Sequence, residues 1–118
     1  MMVYRGDVVV IDFPFTSGTQ SKIRPALVVQ NDNDNQRLPK TIVAMITGNL
    51  RRSGEPTHLL IDPNSIDGSG SGLSGPSLAV FLNLFTVDQA AIIRTRDRLS
   101  PLLLEQADDC LRVALALS

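Results

Sequence analysis

The heptapeptide RPALVVQ at residues 24–30 decides the fold prediction, because it is typical of a short β-strand. Its centre is apolar and β-branched, and a polar loop precedes it. Pro25 has no N–H to donate, so we expect it at the start of the strand or on an edge of the sheet. The same criteria predict strands on either side of this segment, at residues 8–11 and 41–47.

Three more strands are predicted further along the chain, at residues 57–61, 77–82 and 91–94. Residues 31–39 are predicted to form a turn or a short helix. The end of the chain is predicted to be helical, because Ser100 is a good cap and Pro101 suits the first helical position. Short strands followed by one closing helix predict an α+β fold that is mainly β, built as a small barrel or half-barrel.

Length and composition exclude several classes of protein. The chain has 118 residues, of which 43% are hydrophobic, so we expect one domain over residues 1–118 with its own core. The net charge is −1, which excludes a strongly basic nucleic-acid binder but leaves room for a local basic patch. No apolar run approaches the length of a membrane span or a signal core, so we expect a cytoplasmic protein.

Metal and disulfide chemistry is not expected in this chain. Cys110 and His58 are the single cysteine and the single histidine, so no internal disulfide and no thiolate cluster can form. A zinc site would need carboxylates for most of its ligands. We therefore expect no metal and no cofactor.

Two residues at predicted strand ends are candidates for chemistry. Arg24 is followed by Pro25, which biases its backbone to the extended region, so a rigid strand would aim its guanidinium. It could clamp a phosphate or stabilise a transition state, although a surface ion pair is the simpler explanation of a lone arginine. Thr47 precedes Gly48 and could orient a phosphate or a hydroxyl, although a threonine is also at home in any strand.

The remaining polar candidates have simple structural interpretations. His58 lies in a strand pattern and is interpreted as structural, although imidazole suits acid–base work. Arg51 and Arg52 are interpreted as a solvated pair unless the loops converge on Lys22. Three arginines alternate along an extended stretch and are expected on one face, where they could meet a phosphate backbone or an acidic partner: Arg94, Arg96 and Arg98. The Gly/Ser segment 67–75 is expected to be flexible.

Taken together and in this order, these segments resemble the MazF/PemK toxin family. The resemblance rests on RGDVVVIDF at residues 5–13, a Gly-containing loop and RPALVVQND at residues 24–32. TIVAMIT at residues 41–47 and PTH at residues 56–58 continue it, and two shorter blocks follow near residue 80. It covers nearly the whole chain.

The resemblance implies a sequence-selective, metal-independent endoribonuclease of a type II toxin–antitoxin system, with an SH3-like barrel fold. Such a protein acts as a homodimer on single-stranded RNA and is inhibited by an antitoxin. The 2′-hydroxyl of the RNA attacks the adjacent phosphate. Arg24 and Thr47 match the family's catalytic residues, and further positions are assigned to RNA binding: Thr19, Gln20, Lys22, Asn49 and Asn83.

One segment departs from the family pattern. Many members carry an acidic residue and then glutamine where this chain has Leu82 and Asn83, so the family's base recognition is not carried over to this chain. Two alternatives remain. A gyrase-poisoning toxin of the same fold class would end in an aromatic tail, whereas this chain ends in ALALS and has no Trp. A noncatalytic SH3-like binding module is the second alternative.

Overall fold

The computed structural model describes residues 2–14 and 21–118. In these residues the chain forms six strands: β1 (Asp7–Pro14), β2 (Ser21–Val28), β3 (Lys40–Thr47), β4 (His58–Ile61), β5 (Ser77–Asp88) and β6 (Ile92–Arg98). The same residues form two α-helices, α1 (Asp32–Arg37) and α2 (Pro101–Ala114), and a short 3-10 turn at Gln89–Ala91. The predicted order of short strands and a closing helix is confirmed.

The strands form one antiparallel sheet in the order β4-β5-β3-β2-β1-β6. β4 and β6 are therefore the two edges. The loop that leaves β4 reaches β6, because Arg96 Nη1 donates a hydrogen bond to the carbonyl oxygen of Gly72 at 2.8 Å. The sheet thus curls until its edges approach each other, which is the half-barrel form of the mainly β fold that the sequence predicts.

Helix α2 covers one face of the sheet. Its buried side chains pack against apolar residues that alternate along the strands, and both sets belong to one core: Val8, Leu27, Ala44, Ile46, Leu59, Ile61, Ala79, Phe81, Leu103, Ala107 and Cys110. The predicted cap is confirmed, since Ser100 Oγ accepts a hydrogen bond from the backbone N–H of Leu103 at 3.2 Å. Burial raises the pKa of the Cys110 thiol, and the nearby Asp109 carboxylate adds to the shift.

The other face of the sheet is apolar at one end and polar at the other. A second core lies where β1, β2, β3 and β6 meet, and includes Val9, Ile11, Ala26, Val28 and Val43. Side chains alternate between the two faces along a strand, so Thr47 lies on the same face of β3 as Val43. The end of the sheet that holds Thr47 is not covered by α2, and it forms the candidate site.

Three predicted strand boundaries are wrong, and two of them affect the site. β2 begins at Ser21, so Arg24 lies inside the strand rather than at its start. β5 continues to Asp88 instead of ending at residue 82. The prediction stopped early because a bulge in mid-strand interrupts the alternation of apolar and polar residues. β6 likewise runs to Arg98, well beyond residue 94, although most of its side chains are exposed.

The Gly/Ser segment between β4 and β5 forms hydrogen-bonded turns, and part of it packs against β6. The backbone N–H of Ser71 donates to the carbonyl oxygen of Gly68 at 3.0 Å, and Ser71 is almost fully buried. Gly72 adopts φ +72° and lies so close to Arg96 that a Cβ would be 2.8 Å from the arginine's own Cβ. Glycine is required here because of this close approach, which composition alone does not reveal.

The three arginines of β6 do not share one face. The register shifts between β1 and β6 pair Arg98 with Asp7 but Arg94 with Val10, and these two β1 residues lie on opposite faces of their strand. Arg98 Nε donates to Asp7 Oδ1 at 3.1 Å, while Arg96 is bound to Gly72. The predicted continuous basic stripe is therefore absent from this described strand.

Candidate active site

Arg24 and Thr47 lie where β2 and β3 separate. The ladder between these strands pairs Val28 with Val43 and ends at the pair of Ala26 and Met45. Pro25, which has no N–H to donate, is the next residue of β2. Arg24 and Thr47 each lie two residues beyond the last pair of this ladder and on the same face of the sheet, so both flank the opening between the two strands.

The guanidinium of Arg24 has unused hydrogen-bonding capacity. The side chain is partly buried, and its Nε is buried without a hydrogen-bond partner in the part of the chain that the structure describes. Arg24 also makes no ion pair among residues 2–14 and 21–118. The surface ion pair that would explain a lone arginine is therefore not seen there. A desolvated cation with free donors is suited to binding an anion.

Thr47 ends β3 with its hydroxyl fixed by the following turn. Its Oγ1 accepts a hydrogen bond from the backbone N–H of Asn49 at 3.2 Å. Asn49 Oδ1 accepts in turn from the backbone N–H of Arg51 at 3.0 Å. These bonds hold the turn with the Thr47 oxygen as an acceptor, which leaves the hydroxyl proton available to a substrate oxygen.

A cavity of about 540 Å³ opens beside Thr47 on the face of the sheet opposite α2. Apolar side chains of β3 and β5 and polar side chains of β4 and the loops line it: Met45, Thr47, Asn49, Arg51, Arg52, His58, Leu78, Val80, Leu82 and Asn83. Of the sequence-predicted residues, the cavity brings together Thr47, Asn49 and Asn83. Arg24 is not one of its lining residues; it lies on β2, the strand next to β3 on the side away from β5.

Asn83 reaches the cavity because of a bulge in β5. Ala44 pairs with Leu84 while the next residue, Met45, pairs with Val80, so three residues of β5 are inserted between the two pairs. Leu82 and Asn83 belong to this insertion and lie at the rim. Bulges of this kind are common beside active sites, where they redirect side chains.

Three polar residues of the cavity were not assigned to the site from the sequence. Arg51 and Arg52 lie in the loop after β3, and His58 opens β4. Arg52 pairs with Glu55 at 3.3 Å, whereas Arg51 has no ion pair among the described residues. These residues come together because β4 pairs with β5, and no local sequence motif predicts that pairing. The PTH motif at residues 56–58 was the one available signal.

Part of the predicted RNA-binding set lies outside the described structure. Thr19 and Gln20 fall between residues 14 and 21, and Lys22 lies in β2 with its side chain not described. Within residues 2–14 and 21–118, no three His, Cys, Asp or Glu side chains come together as metal ligands. No helix in those ranges combines the length and the apolar character needed to cross a membrane.

Known proteins of similar sequence were found over the full length of the chain. The chain is 32% identical over 118 residues to endoribonuclease EndoA of Bacillus subtilis, and the match covers 99% of this chain and 97% of that protein. The match therefore includes all the strands and helices described above.

Solved structures of similar fold share less sequence. An endoribonuclease bound to its cognate antitoxin, from a mycobacterial species, superposes with a TM-score of 0.77 at 20% identity, covering 98% of this chain and 97% of that one. The MazE–MazF complex of Deinococcus radiodurans gives a TM-score of 0.76 at 18% identity over the whole of both chains. These likenesses establish the fold.

A family model described as the PemK-like, MazF-like toxin of type II toxin–antitoxin systems matches residues 4–115. Neither the gyrase-poison alternative nor the noncatalytic module is favoured by these matches. Since the family model spans nearly the whole chain and a full-length relative exceeds 30% identity, the chain belongs to the PemK/MazF family of toxins.

Proposed function

We propose that this protein is a sequence-selective endoribonuclease toxin that cleaves single-stranded RNA by attack of the RNA's own 2′-hydroxyl, without a metal. The observation that carries the proposal is the partly buried Arg24 guanidinium, whose Nε lacks a partner in the described chain, at the opening beside Thr47. Family membership and the name of the B. subtilis relative support the same activity.

Cleavage by the 2′-hydroxyl is favoured by a cation that is already in place at the phosphate. Attack by the 2′-oxygen gives a pentacoordinate phosphorane with more negative charge than the starting diester, so a donor already in place favours the transition state. In this proposal Arg24 supplies two hydrogen bonds to the phosphoryl oxygens. One such donor lowers the barrier by about 3–4 kcal/mol in comparable sites. Arginine does not serve as a base, because its pKa lies above about 12.

Thr47 is proposed to hold the phosphate through its hydroxyl proton. Its oxygen already accepts from the Asn49 N–H, so the hydroxyl proton can turn toward a phosphate oxygen. Cleavage by this route leaves a 2′,3′-cyclic phosphate on one product and a 5′-hydroxyl on the other.

The RNA is proposed to lie across the cavity. Arg51 is an exposed cation without an ion pair among the described residues, so it is available to a phosphate at the mouth. Asn49 and Asn83 offer amide groups to bases or riboses, and the apolar β5 side chains offer a surface for a base. Thr19, Gln20 and Lys22 are proposed to border the same groove, as the family resemblance implies.

We further propose a cytoplasmic homodimer that is inhibited by an antitoxin. Exposed apolar side chains near the cavity, among them Leu50, Leu60 and Leu82, provide surface for a second subunit or for the antitoxin to cover. A groove that attracts the phosphates of RNA also attracts the carboxylates of an acidic segment, which explains how one surface serves both partners.

The test is cleavage of a long RNA by the purified protein, with both product ends identified. The proposal expects discrete cuts at a short recurring sequence, 2′,3′-cyclic phosphate ends and 5′-hydroxyl ends. Intact RNA after prolonged incubation, or products with 5′-phosphate ends, would overturn it, because a metal-activated water gives a 5′-phosphate.

A further inference from the structure

His58 is the single histidine of the chain, and it occupies an unusual position in the cavity. It is only 9% exposed and opens β4, the edge strand nearest the cavity. Its Nδ1 lies 2.9 Å from Thr57 Oγ1, so one ring nitrogen is held by a neighbouring hydroxyl. Nε2 makes no hydrogen bond within the described residues. A buried imidazole with one nitrogen anchored and the other unused is suited to proton transfer.

The sheet register places His58 across the cavity from Thr47. His58 pairs with Val80 on β5, and Val80 pairs with Met45 on β3, so these three residues form one row across the sheet. Strands lie about 4.8 Å apart, so the backbones of β4 and β3 are separated by about 10 Å along this row. Thr47 is two residues further along β3 on the same face, which gives roughly 12 Å between the two Cα atoms.

This separation suits a bound ribose with its 3′-phosphate. Both side chains point from the same face of the sheet into the cavity, so each shortens the distance that the substrate must span. Arg24 lies on the far side of Thr47, on β2. A phosphate held by Arg24 and Thr47 leaves the cavity over β5 and β4 free for its ribose. Apart from Arg51 and Arg52, His58 is the titratable residue that lines this cavity.

We propose that His58 is a further catalytic residue of this site, and that its Nε2 removes the proton from the attacking 2′-hydroxyl. The inference rests on the proposed ribonuclease function. As the proton passes to Nε2, the electron pair of the 2′-oxygen forms the bond to phosphorus and the bond from phosphorus to the 5′-oxygen breaks. The leaving 5′-oxygen takes a proton from water at the cavity mouth, and the imidazolium returns its proton to solvent.

Thr57 is a positioning residue in this scheme. The required tautomer has Nδ1–H donating to Thr57 Oγ1, which leaves the lone pair on Nε2. The imidazolium that forms then stands near a phosphorane of increased negative charge, so the same group also stabilises the transition state. Arg24 stabilises charge but does not accept a proton, so His58 supplies the base that the arginine cannot.

The test compares two variants on an RNA oligonucleotide that spans a mapped cut. His58→Asn keeps an amide nitrogen near the Nδ1 position and deletes Nε2, and we expect its cleavage rate to fall by at least about 100-fold. His58→Ala leaves a space that imidazole can fill, and added imidazole is expected to restore part of its rate. A merely structural role would give no such rescue.

Gln89→Ala serves as the matched control for general destabilisation. Gln89 is equally buried, and its side chain donates to the carbonyl oxygens of Asn35 and Leu38, away from the cavity. This variant is expected to lose stability but to cleave at the wild-type rate per folded molecule. Binding of an uncleavable 2′-O-methyl oligonucleotide should be the same for His58→Asn and wild type.

Two results would overturn the inference. One is a folded His58→Asn protein that cleaves within about threefold of wild type. The other is a His58→Ala protein, shown to be folded by its thermal transition, that imidazole does not accelerate. Either result with an active wild type rejects only the role of His58. An inactive wild type rejects the proposed function itself, so the two failures are distinguishable.

Discussion

Arg96 of β6 donates a hydrogen bond from Nη1 to the carbonyl oxygen of Gly72 at 2.8 Å, which ties the loop after β4 to the opposite edge of the sheet. Gly72 has φ +72°, and a Cβ built on it would lie 2.8 Å from Arg96 Cβ. The contact therefore requires glycine at position 72 for two reasons: the backbone has a positive φ, and there is no space for a side chain. It ties the loop between β4 and β5 to β6, while β4 itself is paired with β5.

Gly72→Ala is expected to lower the free energy of unfolding by about 2–5 kcal/mol. A positive φ costs an alanine about 1–2 kcal/mol, and the clash with Arg96 adds about 1–3 kcal/mol. Two control variants separate these causes. Gly54→Ala has the positive φ of +94° with open space, whereas Gly75→Ala has neither constraint. Chemical denaturation should rank the losses as Gly72, then Gly54, then Gly75. Equal losses at Gly72 and Gly75 would show that the loop does not pack on β6 as described.

Arg24→Ala is expected to reduce the cleavage rate by about 10²–10³-fold while the thermal midpoint changes little. The reason is that the side chain of Arg24 makes no hydrogen bond or ion pair within the described chain, so its removal leaves no partner unsatisfied. Arg24→Lys keeps the charge but loses the planar pair of donors, and we expect it to recover only part of the rate. Arg112→Ala, which breaks an exposed ion pair with Asp109 on α2, is the matched control. Activity of Arg24→Ala within about tenfold of wild type would remove Arg24 from the mechanism.

Arg51→Ala is expected to weaken RNA binding and to make it less sensitive to salt. Each phosphate contact to a single strand contributes about 0.7 to the slope of log K against log salt concentration, so the slope should fall by about that amount. Arg37→Ala is the control, since Arg37 is exposed and paired with Asp34 on α1, far from the cavity. An unchanged slope for Arg51→Ala in equilibrium titrations would exclude a phosphate contact at this position.

Cleavage is expected to continue in excess EDTA at the rate measured without chelator. Neither Arg24 nor Thr47 is a metal ligand of the usual kind, and the described residues hold no cluster of three His, Cys, Asp or Glu. A time course with and without chelator decides this. Loss of activity that Mg²⁺ or Mn²⁺ restores would contradict the metal-free scheme.

Much of the fold was predictable because its signals are local. The β-branched runs of β1, β2 and β3 and the Ser100–Pro101 cap of α2 each depend on neighbours in sequence. What local patterns missed are register effects. The inserted Leu82 and Asn83 in β5 and the shifts along β6 arise from pairing between distant strands, and no alternation pattern reports them.

The site was predictable only where a residue's role follows from its own motif. Arg24 and Thr47 were identified by their family motifs, and the structure places both at the opening between β2 and β3. His58 and Arg51 were interpreted as structural and solvated. They lie beside the cavity because β4 pairs with β5. This pairing is a long-range contact that the sequence around these two residues does not predict.

The central claim, attack by the RNA's own 2′-hydroxyl, is tested most directly with an oligonucleotide that carries a single 2′-deoxy sugar on the 5′ side of the mapped cut. The account predicts that this substrate stays intact while the all-ribose oligonucleotide is cut, and that both bind with the same affinity. Cleavage of the 2′-deoxy substrate at the same bond would contradict the account, because the nucleophile would then have to come from outside the RNA.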